Sequence, residues 1–383
     1  MHDAYYMTEE RELIAQSARD FAENYIRPLA DKIDKEDYFA TELYKRAGEL
    51  GFCDLHVPEE YGGNDLSLTD HMIIVEEMAR VSPGFAMTFV ADISICETLL
   101  VDLGTPEQKE RWLPGMVKGE IIASHCTVEP CGLGNMEAYT GRAVPADGGW
   151  VLNATKSWST NVGAAQLNIV KAWTDTPGEF SYFLVPLDSE GVLVSPPEDK
   201  VGWRGSNTGE VVFKDVFVPN SDVLGPIGKS VDLGIQSVFN EMIGTGSVAL
   251  GITEESNAIT QRYISTRMHN SGVPFPFRYD VMRVRFAENM AREDAIRGMA
   301  YPAALAYDAG ARNMDRAFLI KAYCFEMAER VASTNIELCG GVGTVRGTGL
   351  ERLWRDAKMG LIGGGQRDYL YSMAGAIRLS GRG

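Results

Sequence analysis

A chain of 383 residues, 45% hydrophobic and 23% charged, is long enough for two or three domains with substantial cores. Thirty-six basic against fifty-three acidic residues give a formal net charge of -17, which argues against a nucleic-acid or anionic-membrane surface but leaves room for a local basic patch. The six cysteines (53, 96, 126, 131, 324 and 339) form no C-x-x-C pair and the five histidines no H-E-x-x-H cluster, so no metal site is expected and the thiols read as reduced, buried packing residues.

In chain order, the opening Met1-His2-Asp3-Ala4-Tyr5-Tyr6 lacks the basic-then-apolar pattern of a leader and is not Arg/Ser-rich, and no later apolar run reaches about 18 residues. A cytoplasmic protein is expected. From Thr8 to about Ile26, Leu13, Ile14, Ala18, Phe21, Ala22 and Tyr25 recur at helical spacing, with Thr8 as N-cap, Glu9 and Glu10 in the first turn, and Pro28 as the stop. Further helical patterns cover about 39–50, 67–80 and 84–103, separated by the turn-rich Val57-Pro58-Glu59-Glu60-Tyr61-Gly62-Gly63. Between 123 and 218 the texture changes. Gly148-Gly149, Pro177-Gly178 and Pro196-Pro197 punctuate the β-favouring runs Trp150-Val151-Leu152, Leu167-Asn168-Ile169-Val170, Tyr182-Phe183-Leu184-Val185 and Val211-Val212-Phe213. Helical periodicity returns after Pro219, over about 229–268, 278–308, 312–338 and 366–378. The expected architecture is α+β: an N-terminal helical domain (1–122), a middle β-barrel-like domain (123–228) and a C-terminal helical bundle (229–383), without internal repeats.

Several segments narrow this further. Cys126-Thr127-Val128-Glu129-Pro130, Trp150 to Asn161, Gly202-Trp203-Arg204-Gly205-Ser206-Asn207-Thr208, Val211 to Pro219, Gly340-Gly341-Val342-Gly343 and Arg355-Asp356-Ala357-Lys358 stand in the order of an acyl-CoA dehydrogenase. The chain resembles that flavoprotein family over nearly its whole length. The resemblance implies FAD as cofactor, an acyl-CoA substrate, an electron-transfer flavoprotein as partner and a homo-oligomer, with a dimer of dimers expected. It places His125 and Thr127 at the isoalloxazine through their backbone, Trp158 against the ring, and the Thr160 hydroxyl at flavin N5. It also implies that Arg267, Glu337, Gly340 and Gly341 complete the site from a second subunit. There, glycines let amides approach a pyrophosphate and a guanidinium pairs with it. Three departures stand out. Val128 to Asn135 lacks two hydroxyls of the family motif; Arg267-Met268-His269-Asn270-Ser271-Gly272 replaces Arg-x-x-Phe-Gly; and Glu337 replaces a glutamine, where a carboxylate would repel the pyrophosphate unless a neighbour compensates.

The largest departure is in the segment Trp354 to Gln366, which resembles the family's catalytic loop but carries Gly364 where most members have the glutamate base. Taking a proton from Cα of a thioester needs a carboxylate with a raised pKa. In an isovaleryl-CoA or long-chain type of member the base sits on the helix after the β domain, ten residues before a glycine. Counting back from Gly251 gives Glu241, on a face otherwise uncharged at Val238, Thr245 and Val248. Gly363, Gly364 and Gly365 suggest a wide pocket for a branched, cyclic or aromatic acyl group, or else merely a turn. Asp92, an acid in an apolar helical stretch, is a candidate second proton acceptor beside the alternatives of a cap or surface position. Met242 stands where an arginine is usual. The expected activity is α,β-dehydrogenation; the alternatives are an enoyl-CoA reductase running in reverse, a non-redox lyase or desulfinase, and a binding subunit without catalysis.

Overall fold

The computed structural model describes residues 5–174 and 179–381, so the turn expected at Pro177-Gly178 lies outside the described residues. Helix α1 (Glu9–Phe21) begins as expected, the Thr8 hydroxyl accepting from the Arg11 amide at 3.2 Å. Pro28 does not stop it. The chain continues through a π turn (Ala22–Ile26) and a 3-10 turn (Arg27–Leu29) into α2 (Ala30–Glu36). Pro28 occupies the start of a fresh turn, where its missing N–H costs nothing.

Helices α3 (Thr41–Glu49), α4 (Leu68–Val81), α5 (Pro83–Phe89), α6 (Thr98–Leu103) and α7 (Pro106–Val117) complete the first third. Ser67 and Asp70 form a capping box that starts α4, and Thr105 and Gln108 one that starts α7. Between α5 and α6, Val90–Glu97 is a π-helical stretch. Pro83–Leu103 is thereby one continuous helical segment that is long and apolar enough on average to cross a membrane, although Asp92, Glu97 and Asp102 interrupt it and 89% of its apolar window is buried in the fold.

The middle strands are β1 (Ala123–Cys126), β2 (Arg142–Ala146), β3 (Gly149–Thr160), β4 (Leu167–Trp173), β5 (Phe180–Pro186), β6 (Val192–Val194), β7 (Thr208–Pro219) and β8 (Val223–Leu224). They form one sheet in the order β6-β7-β3-β2-β4-β5-β8, with β1 parallel to β4. Alternating side chains give it two apolar faces. One, with Leu152, Val170, Phe183, Val211 and Phe213, is the sheet's own core; the other, with Leu167, Ile169, Tyr182 and Leu184, packs on Leu99, Trp112 and Leu113 of α6 and α7.

The last third holds α8 (Ser230–Leu233), α9 (Ile235–Thr266), α10 (Phe275–Arg278), α11 (Asp280–Asp308), α12 (Met314–Cys339), α13 (Leu350–Gly360) and α14 (Arg367–Leu379). Helix α13 was not expected. Arg355-Asp356-Ala357-Lys358 lies on it rather than in a loop, and only residues 361–366 form the turn. The helices of the first and last thirds share one core, in which Met72, Val75, Met78 and Phe89 meet Val248, Ile252, Ile320 and Phe325.

Candidate active site

Helix α9 can lie close to its neighbours because glycines line it. A Cβ at Gly244 would stand 3.3 Å from the Ser94 hydroxyl, and one at Gly251 only 2.5 Å from the Glu76 carbonyl. One turn before Gly244 stands Glu241. Its carboxylate accepts no hydrogen bond from the described residues, and burial pushes its pKa up to about 7 against the opposing pull of Lys321. The residue as a whole is half-buried, so the charge is desolvated without being sealed in.

The 361–366 turn meets Glu241 directly. A Cβ added to Gly364 would lie 2.9 Å from Glu241 Oε1 and 3.8 Å from Lys321 Cε, and Gly364 has φ +66°. The space beside position 364, where the family's usual glutamate would begin, is filled by a carboxylate arriving from α9. The other two glycines are tight as well: a Cβ at Gly363 would fall 2.3 Å from Trp203, and one at Gly365 3.0 Å from Leu370. Side chains at Gly363, Gly364 and Gly365 would therefore be crowded by Trp203, Glu241 and Leu370, so the glycines are required by the packing of this turn.

The Arg-Asp-Ala-Lys signature holds this turn in place. Asp356 is buried and accepts from the Trp203 amide at 2.6 Å, which seats the indole against Gly363. Arg355 reaches Asp34 at 2.7 and 2.9 Å and Glu351 at 2.7 Å, tying α13 to α2. Sequence reasoning missed Lys321. It is buried on α12 and its Nζ donates to the Gly365 carbonyl; a lysine between Ile320 and Ala322 on an apolar face was the available signal.

Asp92 is neither a surface residue nor a helix cap. It is buried in the π-helical stretch, Oδ1 accepts the Ala123 amide at 2.9 Å, and burial pushes its pKa up to about 8. It fixes the start of β1. Beyond it, His125 is pushed down to about 3 by burial, with Lys171 and Lys156 adding to the effect, so it is neutral. The Thr127 hydroxyl is 2.8 Å from its Nε2. Glu129 anchors the following loop by accepting from Lys156 Nζ at 2.8 Å and from the amides of Thr140 and Gly141 at 2.6 and 3.0 Å.

Trp158 sits where the β3–β7 register slips between Lys156 and Ser159. With φ +58° its indole turns outward and is 60% exposed, on a strand whose neighbouring residues Lys156 and Ser159 are buried. Thr160 ends the strand, and its carbonyl accepts from the Ser124 hydroxyl at 2.6 Å. A second group gathers where α9 and α12 end, over the small core of Ile264, Cys339 and Leu350. Arg267 is exposed there, stacked 4.5 Å from the Phe275 ring centroid, with no carboxylate within ion-pair distance among the described residues. Gly340 (φ +62°) and Gly341 have nothing within 4 Å where a Cβ would be, so the space beside them is open, although the Gly340 amide itself donates to the Glu337 carbonyl. Glu337 is compensated: Arg285 Nη2 of α11 pairs with its Oε2. No hydrogen bond or ion pair joins this group to His125, Thr127, Trp158 and Thr160. An exposed aromatic plane, a guanidinium without an ion-pair partner among the described residues and open space beside two glycines fit a flavin dinucleotide. Among the described residues no cluster of metal-ligating side chains occurs.

The family models for the acyl-CoA dehydrogenase N-terminal, middle and C-terminal domains match residues 8–120, 127–216 and 235–376. The isovaleryl-CoA dehydrogenase of Solanum tuberosum mitochondria is 32% identical over 355 residues, covering 91% of this chain and 86% of that protein. The structure of butyryl-CoA dehydrogenase from Megasphaera elsdenii superposes with a TM-score of 0.94 at 28% identity, covering 97% of this chain and 99% of that one. An acyl-CoA dehydrogenase from Bacillus anthracis, solved with FAD, gives a TM-score of 0.92 at 26% identity, covering 99% of this chain and 68% of that one. The three domains in their order, and a relative 32% identical over 91% of this chain, make this chain a member of the acyl-CoA dehydrogenase family, and so an oxidoreductase of CH–CH groups.

Proposed function

We propose that the protein dehydrogenates an acyl-CoA thioester at Cα–Cβ with Glu241 as the base. One observation carries this reading: the Glu241 carboxylate is desolvated, accepts no hydrogen bond, and sits within 2.9 Å of where a side chain at Gly364 would start. A carboxylate whose oxygens are free and whose pKa lies near neutrality is suited to take a proton from Cα, where a water-exposed one is too weak. Glu241 holds the proton at its carboxylate oxygen, beside the 361–366 turn that Lys321 anchors through the Gly365 carbonyl. FAD, which would lie against Trp158 and Thr160 and be grasped at its pyrophosphate by Arg267, Gly340 and Gly341 of another subunit, supplies the acceptor for the Cβ hydride. Our reading is a homo-oligomer, a dimer of dimers, with an electron-transfer flavoprotein as the onward acceptor, and it draws its support from membership of the family.

A branched, cyclic or aromatic acyl group draws its support from the isovaleryl-CoA relative and from the shared base position, not from the glycines. A carboxyl half-protonated near pH 7 returns a proton as readily as it takes one, so an enoyl-CoA reductase is the second reading. The lyase or desulfinase reading has no support in a retained, free Glu241, and the pairing of Glu337 with Arg285 removes a main argument for a silent binding subunit.

Anaerobic titration of the flavin-loaded protein with straight-chain, branched and aryl acyl-CoAs tests the proposal. Bleaching of the flavin by at least one of them is expected. Unchanged absorbance with all of them, together with no oxidation of reduced enzyme by the matching enoyl-CoAs, would overturn it.

A further inference from the structure

Lys321 has 1% of its surface exposed, on the face of α12 that carries Ala317, Ile320, Cys324 and Phe325 into the core. A lysine so placed needs compensation. Its one hydrogen-bond partner is the Gly365 carbonyl, a neutral group, and no carboxylate lies within ion-pair distance of it among the described residues. The acid across the turn is Glu241. The backbone at Gly364 is held between the two, Glu241 Oε1 at 2.9 Å and Lys321 Cε at 3.8 Å from the same point in space.

We propose that Lys321 is a positioning residue for the base, anchoring the 361–366 turn through the Gly365 carbonyl and, when protonated, setting a positive charge behind that turn which favours the ionised form of Glu241. This rests on Glu241 being the base. The other groups around Glu241 do not replace that charge. Its own helix offers Ser237, Asn240, Met242 and Thr245, none ionisable near neutrality. The π-helical stretch offers the Cys96 thiol, pushed well up by burial and further by nearby acids including Glu241, and Asp92, which is engaged with Ala123. From α4, His71 is neutral and faces the Ser94 hydroxyl at 3.1 Å. The 361–366 turn and Trp203 bring no ionisable side chain. Burial pushes Lys321 down to about 7 while Glu241 holds it up, and Lys321 in turn opposes the burial that raises Glu241; the two effects agree in sign.

Two substitutions separate the anchor from the charge. Lys321→Gln keeps a donor for the Gly365 carbonyl; Lys321→Met removes donor and charge together. The measurements are the pH profile of flavin reduction by an acyl-CoA and, independently of catalysis, an infrared titration of the Glu241 carboxyl band, assigned by its loss in Glu241→Gln. In Lys321→Gln the melting temperature should stay near wild type while both titrations move up by about one pH unit, cutting the rate at pH 7 about fivefold and restoring it at higher pH. Lys321→Met should show the same shift plus a lower melting temperature; if it does not fold, Lys321→Arg takes its place and should titrate as wild type. A Lys321→Gln protein whose carboxyl band titrates at the wild-type pH would sink the proposal, reducing Lys321 to a turn anchor. If instead Glu241→Gln reduces flavin at the wild-type rate, the base assignment fails, whatever the infrared shift.

Discussion

Asp92 and Glu241 are two acids under the same roof of helices, and burial raises the pKa of both, to about 8 and about 7. They differ in what their oxygens meet. Asp92 Oδ1 is bonded to the backbone of β1, whereas Glu241 accepts nothing and faces a glycine turn. A perturbed acid is thus a structural bracket when its lone pairs are engaged and a candidate for proton transfer when they are free. The raised pKa alone does not separate the two.

The largest expected effect comes from Glu241→Gln, which should retain flavin and acyl-CoA binding and lose flavin reduction by about 1,000-fold. Because the base must be unprotonated, the wild-type rate should climb with pH up to about 7 and level off; a flat profile from pH 5 to 8 would contradict the assignment. Moving the acid is the next test. Glu241→Gly combined with Gly364→Glu places a carboxylate in the space that Glu241 Oε1 occupies, at a cost of about 1–2 kcal/mol for a side chain at φ +66°. It should reduce flavin about tenfold faster than Glu241→Gly alone; no gain would mean that the two positions do not address one site.

A smaller effect tests the turn. Gly363→Ala drives a Cβ to 2.3 Å from Trp203 and should destabilise by about 2 kcal/mol in denaturant melts. A neutral result there, with wider acyl-group tolerance in the wild type than in the variant, would return Gly363 to the substrate pocket. The smallest kinetic effect belongs to Asp92→Asn. Reduction should stay within about threefold of wild type, since the amide oxygen can still accept from Ala123. Its stability difference should depend on pH. The folded pKa of about 8 lies above the ordinary 3.8, so the native state holds the proton more tightly, and wild type loses stability as pH rises through that window. Asn does not titrate, so the melting temperature of the variant should gain on wild type from pH 4 to 8. Loss of reduction in Asp92→Asn would make Asp92 the second acid after all.

The three-domain order and the sheet strands at 150–152, 167–170, 182–185 and 211–213 were legible in the sequence because periodicity and turn spacing encode them, whereas Glu241 was singled out only by the resemblance to the family. The π turns at 22–26 and 90–97 were not, since one extra residue per turn leaves the apolar pattern nearly unchanged. Helix α13 was masked by reading its charged motif as a loop, although Asp356 and Arg355 turn out to be packing brackets. The neighbours of the three glycines were not legible for a different reason: a missing side chain signals space, but only the fold shows that Trp203, Glu241 and Leu370 stand beside it. Lys321 was overlooked because its partner is a backbone carbonyl 44 residues away.

The core shared by the first and last thirds bears on how the chain is made. Asp308 accepts the amides of Leu68 and Thr69 at 3.0 and 3.2 Å, and Arg297 pairs with Glu76 at 3.3 Å, so the N-terminal helices find their partners more than 200 residues later. A nascent chain leaving the ribosome can close its sheet early, but α4 stays without its packing surface until α9, α11 and α12 have emerged. The first and last of the three segments that sequence comparison separates share one core, so a fragment ending near residue 228 would carry an orphaned apolar face prone to aggregation.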